Sequence, residues 1–137
     1  MLEGRTAALA ARNASPVDIN DIATAFDGAE AAIAAGDFRT MLAMDRAFHH
    51  AIGAATKNPT LARFVASLQN TATRFWIWTM EKQTPAEQLT DVELHRELGR
   101  CIAAGDAAAA QACAAKLVGE PPSAYPCSQA APVISNR

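Results

Sequence analysis

A series of paired helix start and stop signals is the feature that most constrains the fold of this chain. Ser15, Asn58 and Thr84 are each followed directly by a proline. An N-cap side chain before a residue that lacks an N–H group is typical of the start of an α-helix. About a quarter of the residues are alanine, the strongest helix former, whereas the strand-forming residues are scattered and never alternate with polar ones. The sequence therefore predicts an all-α protein.

These signals divide the chain into six predicted helices joined by short loops. Gly36 and Gly105 stand at helix ends, and the residues that follow them, Asp37 and Asp106, cap the next helices. Short loops favour antiparallel packing of consecutive helices in a bundle. The predicted helices are residues 2–12, 16–35, 38–56, 59–82, a fifth that starts after either Thr84 or Thr90 and ends near 103, and a sixth from 107 to near Gly119.

The length of the chain and the composition of its end indicate one domain followed by a tail. A chain of 137 residues can bury a self-supporting core. Residues 1–119 are predicted to form that domain. Three of the seven prolines lie between positions 121 and 126, and no helical period follows Gly119. Residues 120–137 are therefore predicted to be an irregular tail.

Charge and composition exclude several classes of function. The net charge is −2 and the basic residues are dispersed, which argues against nucleic-acid binding. There is no run of about 18 apolar residues that could span a membrane, and the first residues lack the apolar core of a signal peptide. Cys101, Cys113 and Cys127 form no Cys-x-x-Cys pair, which favours reduced thiols in a cytoplasmic protein.

An acidic residue lies on the apolar face of the third predicted helix. Met41, Phe48 and Ile52 recur there at helical spacing. Asp45 falls between them on the same face, and His49 follows one turn later on the same side. An isolated buried carboxylate is costly, so Asp45 needs a cation, a dense set of hydrogen bonds or an open cavity.

A second imidazole is predicted to face the core from the fifth helix. Leu98 and Ile102, three and seven residues further on, place His95 on the core side. One aspartate and two histidines that converge inside a bundle can hold a divalent metal ion. The alternative is a structural, hydrogen-bonded group without metal. His50, next to His49, is predicted to point away to the surface.

Two features of the fourth predicted helix allow more than one interpretation. Trp76 and Trp78 either pack in the core or a dimer interface, or form the wall of a ligand site. Arg74 either pairs with an anionic ligand in a bundle cavity or points to solvent. Arg74 is therefore a candidate effector-binding residue.

The sequence contains none of the common catalytic motifs. A Gly-rich phosphate loop, a Gly-x-Ser-x-Gly motif and a His-Glu-x-x-His motif are all absent. We therefore expect no enzyme activity. Two alternatives stay open: a hydrolase in which Asp45, His49 and His95 hold a metal that activates water, and a structural helical module with a vestigial site.

Four segments occur in order along the chain: "LEGRTAALAARNAS", "AAGDF", "MDRAFHHAIGAATKNPTL" and "ELHRELGRCIAAGDAAAAQACAAKL". Their most specific parts are Asp-x-x-Phe-His at 45–49, Asn-Pro-x-Leu at 58–61, and the segment from His95 to Asp106. Over residues 2 to about 118 the chain resembles the C-terminal effector-binding domain of GntR-family transcription regulators, in the FCD (FadR C-terminal domain) subfamily.

The resemblance implies an antiparallel bundle of six or seven helices with a central cavity, a homodimer, and a small organic acid as effector. In many members the cavity holds a divalent metal, such as zinc, nickel or manganese, bound by one Asp and three His. Asp45, His49 and His95 match the first three ligands. Leu117 stands where the fourth histidine is expected, so water or the effector's carboxylate would complete the shell.

The resemblance also implies a winged helix-turn-helix domain ahead of this region, and this sequence has no counterpart of it. We therefore expect no direct DNA binding by this chain alone. The expected function is that of a ligand-sensing and dimerisation domain of a GntR/FCD-type regulator. In such a domain a small anion, together with a metal, changes the packing of the helices and so the spacing of attached DNA-binding domains.

Overall fold

Seven α-helices make up the part of the chain that the structure, a computed structural model, describes, which is residues 2–119. No strand occurs within that range. The helices are α1 (Leu2–Asn13), α2 (Pro16–Thr24), α3 (Ala29–Ala34), α4 (Phe38–Ala55), α5 (Pro59–Met80), α6 (Pro85–Ala103) and α7 (Ala107–Leu117). The predicted all-α fold is confirmed. The predicted irregular tail, residues 120–137, lies outside the described residues.

Most helix starts coincide with the caps that the sequence predicts. The capping side chains are Ser15, Asp37, Asn58, Thr84 and Asp106. At the start of α6 the backbone N–H of Glu87 donates to the Thr84 hydroxyl, and the N–H of Thr84 donates to the Glu87 carboxylate. The fifth predicted helix therefore starts after Thr84. Thr90 lies inside α6, where its hydroxyl donates to the carbonyl oxygen of Ala86.

The predicted helix 16–35 is wrong in one respect, because the structure divides it into α2 and α3. Gly28 adopts the left-handed conformation, with φ 85°, and interrupts the helical path. The sequence Asp27-Gly28 is a turn signal that the alanine-rich periodicity around it conceals. The turn buries Phe26, whose ring centroid lies 5.0 Å from that of His95. The break between α2 and α3 thus places an aromatic ring next to His95, one of the predicted site residues.

The two "AAGD" sequences, 34–37 and 103–106, end α3 and α6 in the same way. Both glycines have positive φ angles. At the end of α6 the N–H of Gly105 donates to the carbonyl of Ile102, and the N–H of Asp106 donates to the carbonyl of Cys101. These are the two hydrogen bonds of a Schellman motif. Because Asp106 then caps α7, the chain reverses direction within three residues and α7 packs back on α6.

Helices α4 and α6 face the same interior. Both pack against α1, α2 and α3, and α1 also packs against α7. The inward face of α1 consists of small residues: Gly4, Thr6, Ala7, Ala8, Ala10 and Ala11. Small side chains let the surrounding helices approach α1 closely, which brings the side chains of α4 and α6 together at the centre.

Helix α5 is the least covered element of the described fold. It packs chiefly against α4 and has no fully buried residue. Its exposed large hydrophobic residues are Phe64, Leu68, Phe75, Ile77 and Trp78. Among the described helices, none combines the length and the apolarity needed to cross a membrane.

Candidate metal centre

Helix α4 holds Asp45 and His49 at the inner edge of the bundle. Asp45 lies on the buried face of α4, among Met41, Phe48 and Ile52, and is 9% exposed. His49 is one turn further on and its side chain is 21% exposed. The Nε2 atom of His49 lies 3.5 Å from Oδ1 of Asp45, as expected for side chains four residues apart on a helix.

Helix α6 brings His95 to the same carboxylate oxygen. The side chain of His95 is 7% exposed, and its Nε2 atom lies 3.2 Å from Oδ1 of Asp45. The rings of Phe26 and Phe48 pack against the imidazole, with centroid distances of 5.0 and 5.2 Å. The structure therefore places the acid and both imidazoles in one internal cluster, here named the Asp-His-His triad.

The geometry of the triad fits a divalent metal ion. One possible ligand atom from each residue lies within 4.8 Å of the other two. Ligand atoms that share a zinc ion at about 2.1 Å stand about 3.4 Å apart in tetrahedral coordination. The two distances from Oδ1 of Asp45, 3.2 and 3.5 Å, are already close to that value. Two imidazoles and a carboxylate suit zinc, nickel or manganese, with one or more coordination positions left open.

The hydrogen bonding of His95 indicates that a cation belongs between these side chains. Nδ1 of His95 lies 2.7 Å from the backbone carbonyl oxygen of Asp91. A carbonyl oxygen can only accept, so Nδ1 carries a proton and donates it. In the neutral imidazole Nε2 then presents a lone pair to the carboxylate of Asp45. Two acceptors at 3.2 Å repel each other unless a proton or a metal ion lies between them.

In the metal-free protein a proton takes that place. Burial disfavours the charged imidazole of His95, but the hydrogen bond to Asp45 and the nearby charge of Asp91 outweigh burial and raise the pKa of His95. Burial also opposes ionisation of Asp45, yet hydrogen bonds from His49 and His95 outweigh it and hold the pKa of Asp45 well below its ordinary range. The triad thus favours an ionised aspartate paired with a protonated His95.

Asp91 is a supporting residue that the sequence analysis missed. Besides its carbonyl contact, its carboxylate oxygen Oδ2 lies 3.7 Å from Nδ1 of His95. Burial raises the pKa of the Asp91 carboxyl group. A partner that holds the second nitrogen of a metal-binding histidine fixes the orientation of the ring and increases its basicity. The i, i+4 spacing from Asp91 to His95 is the signal that could have identified it, as it did for Asp45 and His49.

A cavity of about 310 Å³ lies beside the triad. Its volume is in the range of small-molecule sites. Its polar lining comprises the carboxylates of Glu3, Asp45 and Asp91, the amides of Gln69 and Gln83, and the triad imidazoles, and no lysine or arginine is among the described lining residues. The walls of the cavity are therefore acidic.

The other predicted site residues lie in different places. Leu117 lines the cavity, so the position expected for a fourth histidine belongs to the same cavity as the triad. Trp76 also lines the cavity, whereas Trp78 is 55% exposed and is not among the lining residues. His50 is exposed. Arg74 is exposed on α5 and is not among the residues that line the cavity, and its role in effector binding stays a prediction.

The triad should make the unfolding free energy of the metal-free protein depend on pH in two windows. Because folding lowers the pKa of Asp45, its contribution is present above its unfolded value, near 3.8, and is lost as the pH falls through the folded value. Because folding raises the pKa of His95, its contribution is complete below its unfolded value, near 6.5, and is lost as the pH rises through the folded value. Urea titrations in EDTA between about pH 3 and 9 measure both slopes.

Asp45→Asn is the matched control for this measurement, because asparagine lacks the charge of the aspartate side chain and has nearly the same shape. The difference in unfolding free energy between the wild type and the variant should be largest near about pH 5 and should shrink towards both ends of the range. Asp91 is present in both proteins, so its own titration largely cancels. A difference that does not change with pH would contradict the charges assigned to the triad.

Comparison with known proteins places this geometry in a family. A family model for the FCD domain matches residues 1–120, which include all seven described helices and the triad. The FCD domain is a regulatory ligand-binding domain of GntR-type regulators. No curated protein and no solved structure matches the chain. The family match covers most of the 137 residues, and the chain therefore belongs to the FCD domain family.

Proposed function

We propose that this chain is the ligand-sensing and dimerisation domain of a GntR/FCD-type transcription regulator, and that it binds a small carboxylate effector through a divalent metal. The convergence of Asp45, His49 and His95 beside a cavity of about 310 Å³ is the observation that carries the proposal. A metal ion held there supplies positive charge and open coordination positions.

The triad couples two helices. Asp45 and His49 belong to α4 and His95 belongs to α6, and the ring of Phe48 on α4 also packs against His95. Shared coordination of one ion would therefore fasten α4 to α6 beside that contact. The carbonyl of Asp91 holds the imidazole of His95 in the orientation that this requires.

The acidic lining of the cavity makes effector binding depend on the metal. Glu3 and Asp91 bring negative charge to the walls, and no described lining residue is a lysine or arginine that would attract an anion. Leu117 offers no ligand atom at the position of the family's fourth histidine. A carboxylate from the effector would take that coordination position, so the metal and the effector would bind together.

The outer face of α5 is suited to pairing with a second copy of the chain. Phe64, Leu68, Thr71, Phe75 and Trp78, here named the α5 stripe, are spaced by four, three, four and three residues. This period of 3.5 residues is typical of the seam between two packed helices. The side chains are uncovered in the single chain: Phe64 is 55% exposed, Phe75 61% and Trp78 55%. We propose that the stripe forms the homodimer interface.

Helix α5 links the cavity to that interface. The α5 residues that line the cavity are Leu68, Gln69, Ala72, Trp76 and Met80. Leu68 also belongs to the stripe, so the stripe borders the cavity. A ligand that contacts the inner side would favour one position of α5 and so one geometry of the dimer. In a regulator, that shift of population would change the spacing of attached DNA-binding domains.

Metal binding should depend on His49 and not on its neighbour. After removal of metal with EDTA, the protein should bind about one equivalent of Zn²⁺ or Ni²⁺ in a calorimetric titration. His49→Ala should weaken the affinity by at least about 100-fold, because it removes one of three protein ligands. His50→Ala removes an exposed imidazole from the same helix and should bind as the wild type does. If the two variants lost metal affinity equally, or if His49→Ala kept the affinity of the wild type, the metal would bind elsewhere.

Small carboxylates should stabilise only the metal-loaded protein. In a thermal unfolding assay with a panel of small mono- and dicarboxylates, a ligand should raise the Tm of the zinc-loaded form with the logarithm of its concentration. The EDTA-treated form should not respond, because the acidic walls repel anions. Asp45→Asn with added zinc provides a second control. Equal stabilisation of the EDTA-treated protein by the same carboxylate would refute metal-mediated binding.

Charge on the α5 stripe should dissociate the dimer. Phe75→Glu should raise the dimer Kd by at least about 100-fold in sedimentation velocity experiments, because it buries an unpaired charge in the seam. Val17→Glu places the same charge at an exposed apolar position on α2, where Val17 is 68% exposed, and should leave the dimer intact. A dimer that survives both Phe75→Glu and Trp78→Glu would have its interface elsewhere.

A further inference from the structure

Two cysteines lie in contact across the turn between α6 and α7, away from the triad. The Sγ atoms of Cys101 and Cys113 are 3.3 Å apart. Neither residue lines the cavity beside the triad. The two residues are twelve positions apart and form no Cys-x-x-Cys pair in the sequence. The fold instead makes them neighbours.

The contact follows from the register of the two helices. The Schellman motif at the end of α6 and the Asp106 cap of α7 fix the reversal of the chain. One turn further from the reversal, Nζ of Lys116 lies 3.5 Å from Oε1 of Glu97. Because two successive side-chain pairs join the helices, the cysteine pair belongs to a regular antiparallel packing of α6 on α7.

The two thiols differ in their surroundings. Cys101 is partly exposed, and Cys113 is 7% exposed. Burial, followed by the hydrogen bond with Cys101, raises the pKa of Cys113 to about 12. Because Cys101 is the more exposed of the two, it is the sulfur that an oxidant reaches first.

We propose that Cys101 and Cys113 form a redox-active dithiol that a peroxide oxidises to a disulfide between α6 and α7. The Cys101 thiolate attacks one peroxide oxygen, the O–O bond breaks, and the leaving oxygen takes a proton from solvent. The resulting sulfenic acid is attacked by the sulfur of Cys113, which loses its proton as the S–S bond forms and water leaves. In total two thiols lose two hydrogen atoms, and hydrogen peroxide becomes two molecules of water.

The structure requires little movement for this reaction. The S–S bond length is about 2.05 Å, so the sulfurs must approach by about 1.3 Å from their present separation of 3.3 Å. The bond would fix α7 against α6 one turn before Leu117, which lines the cavity. An effect of oxidation on effector binding rests on the proposed function, whereas the disulfide itself does not.

Peptide mapping tests the disulfide directly. Trypsin cleaves after Arg100 and Lys116, so both cysteines lie in one peptide, 101–116. The full-length protein is treated with an equimolar amount of hydrogen peroxide, its remaining thiols are blocked with N-ethylmaleimide, and the digest is examined by mass spectrometry. The peptide should lose two hydrogen atoms and carry no maleimide. Without peroxide it should carry a maleimide on each cysteine.

Three variants sharpen the test. Cys127→Ser should leave the disulfide unchanged, because it removes only the third cysteine, and Cys101→Ser should abolish it. Oxidation should raise the Tm of Cys127→Ser by about 5 °C or more and leave that of Cys101→Ser unchanged. His49→Ala should still form the bond, which separates this proposal from the metal site. Maleimide on both cysteines after peroxide, or a link from Cys101 to Cys127 or to a second chain, would overturn the proposal.

Discussion

Inside the bundle, one carboxylate oxygen of Asp45 on α4 lies 3.2 Å from Nε2 of His95 on α6 and 3.5 Å from Nε2 of His49 on α4. Polar groups thus occupy a part of the α4–α6 contact that lies among apolar side chains. A carboxylate in such surroundings costs several kcal/mol unless a cation neutralises it. The contact of His95 Nδ1 with the carbonyl of Asp91 sharpens this requirement, because it turns an imidazole lone pair towards the carboxylate. In the metal-free protein a proton on His95 neutralises the carboxylate of Asp45. A divalent ion would also neutralise it and would keep open coordination positions.

Much of the fold follows from local chemistry, and the reasons are visible at particular residues. Ser15, Asn58 and Thr84 satisfy backbone N–H groups at helix starts that would otherwise lack partners. The starts after Ser15 and Asn58 could therefore be predicted to the residue, whereas the sequence left the start of α6 open between Thr84 and Thr90. The break at Gly28 was missed because alanines on both sides continue the helical pattern through a turn that tertiary packing of Phe26 stabilises.

The candidate site was predictable only where its residues share a helix or a face. Asp45 and His49 are one turn apart, and the apolar neighbours of His95 revealed its orientation. The acidic lining contributed by Glu3 and the meeting of Cys101 with Cys113 depend on how different helices pack, and no spacing rule within one helix contains that information. The contact of Asp91 with His95 lies within α6, so its i, i+4 spacing could have been recognised from the sequence.

Leu117 supplies no ligand atom at the position where the family's fourth histidine is expected. A fourth imidazole would hold a metal more tightly and occupy a coordination position, whereas Leu117 presents an apolar side chain to the cavity. We therefore expect weaker metal binding and stronger coupling between metal and effector than a four-ligand site would show. Such coupling is reciprocal, so a carboxylate that needs the metal must also increase the affinity for the metal.

The most direct test of the shared site is an anomalous difference map from crystals of the protein grown with Zn²⁺, with data collected at the zinc absorption edge. We expect one strong peak inside the bundle, about 2.0–2.2 Å from Nε2 of His49, from Nε2 of His95 and from Oδ1 of Asp45. An interior without a peak, or zinc bound only at the surface through His50, would contradict it.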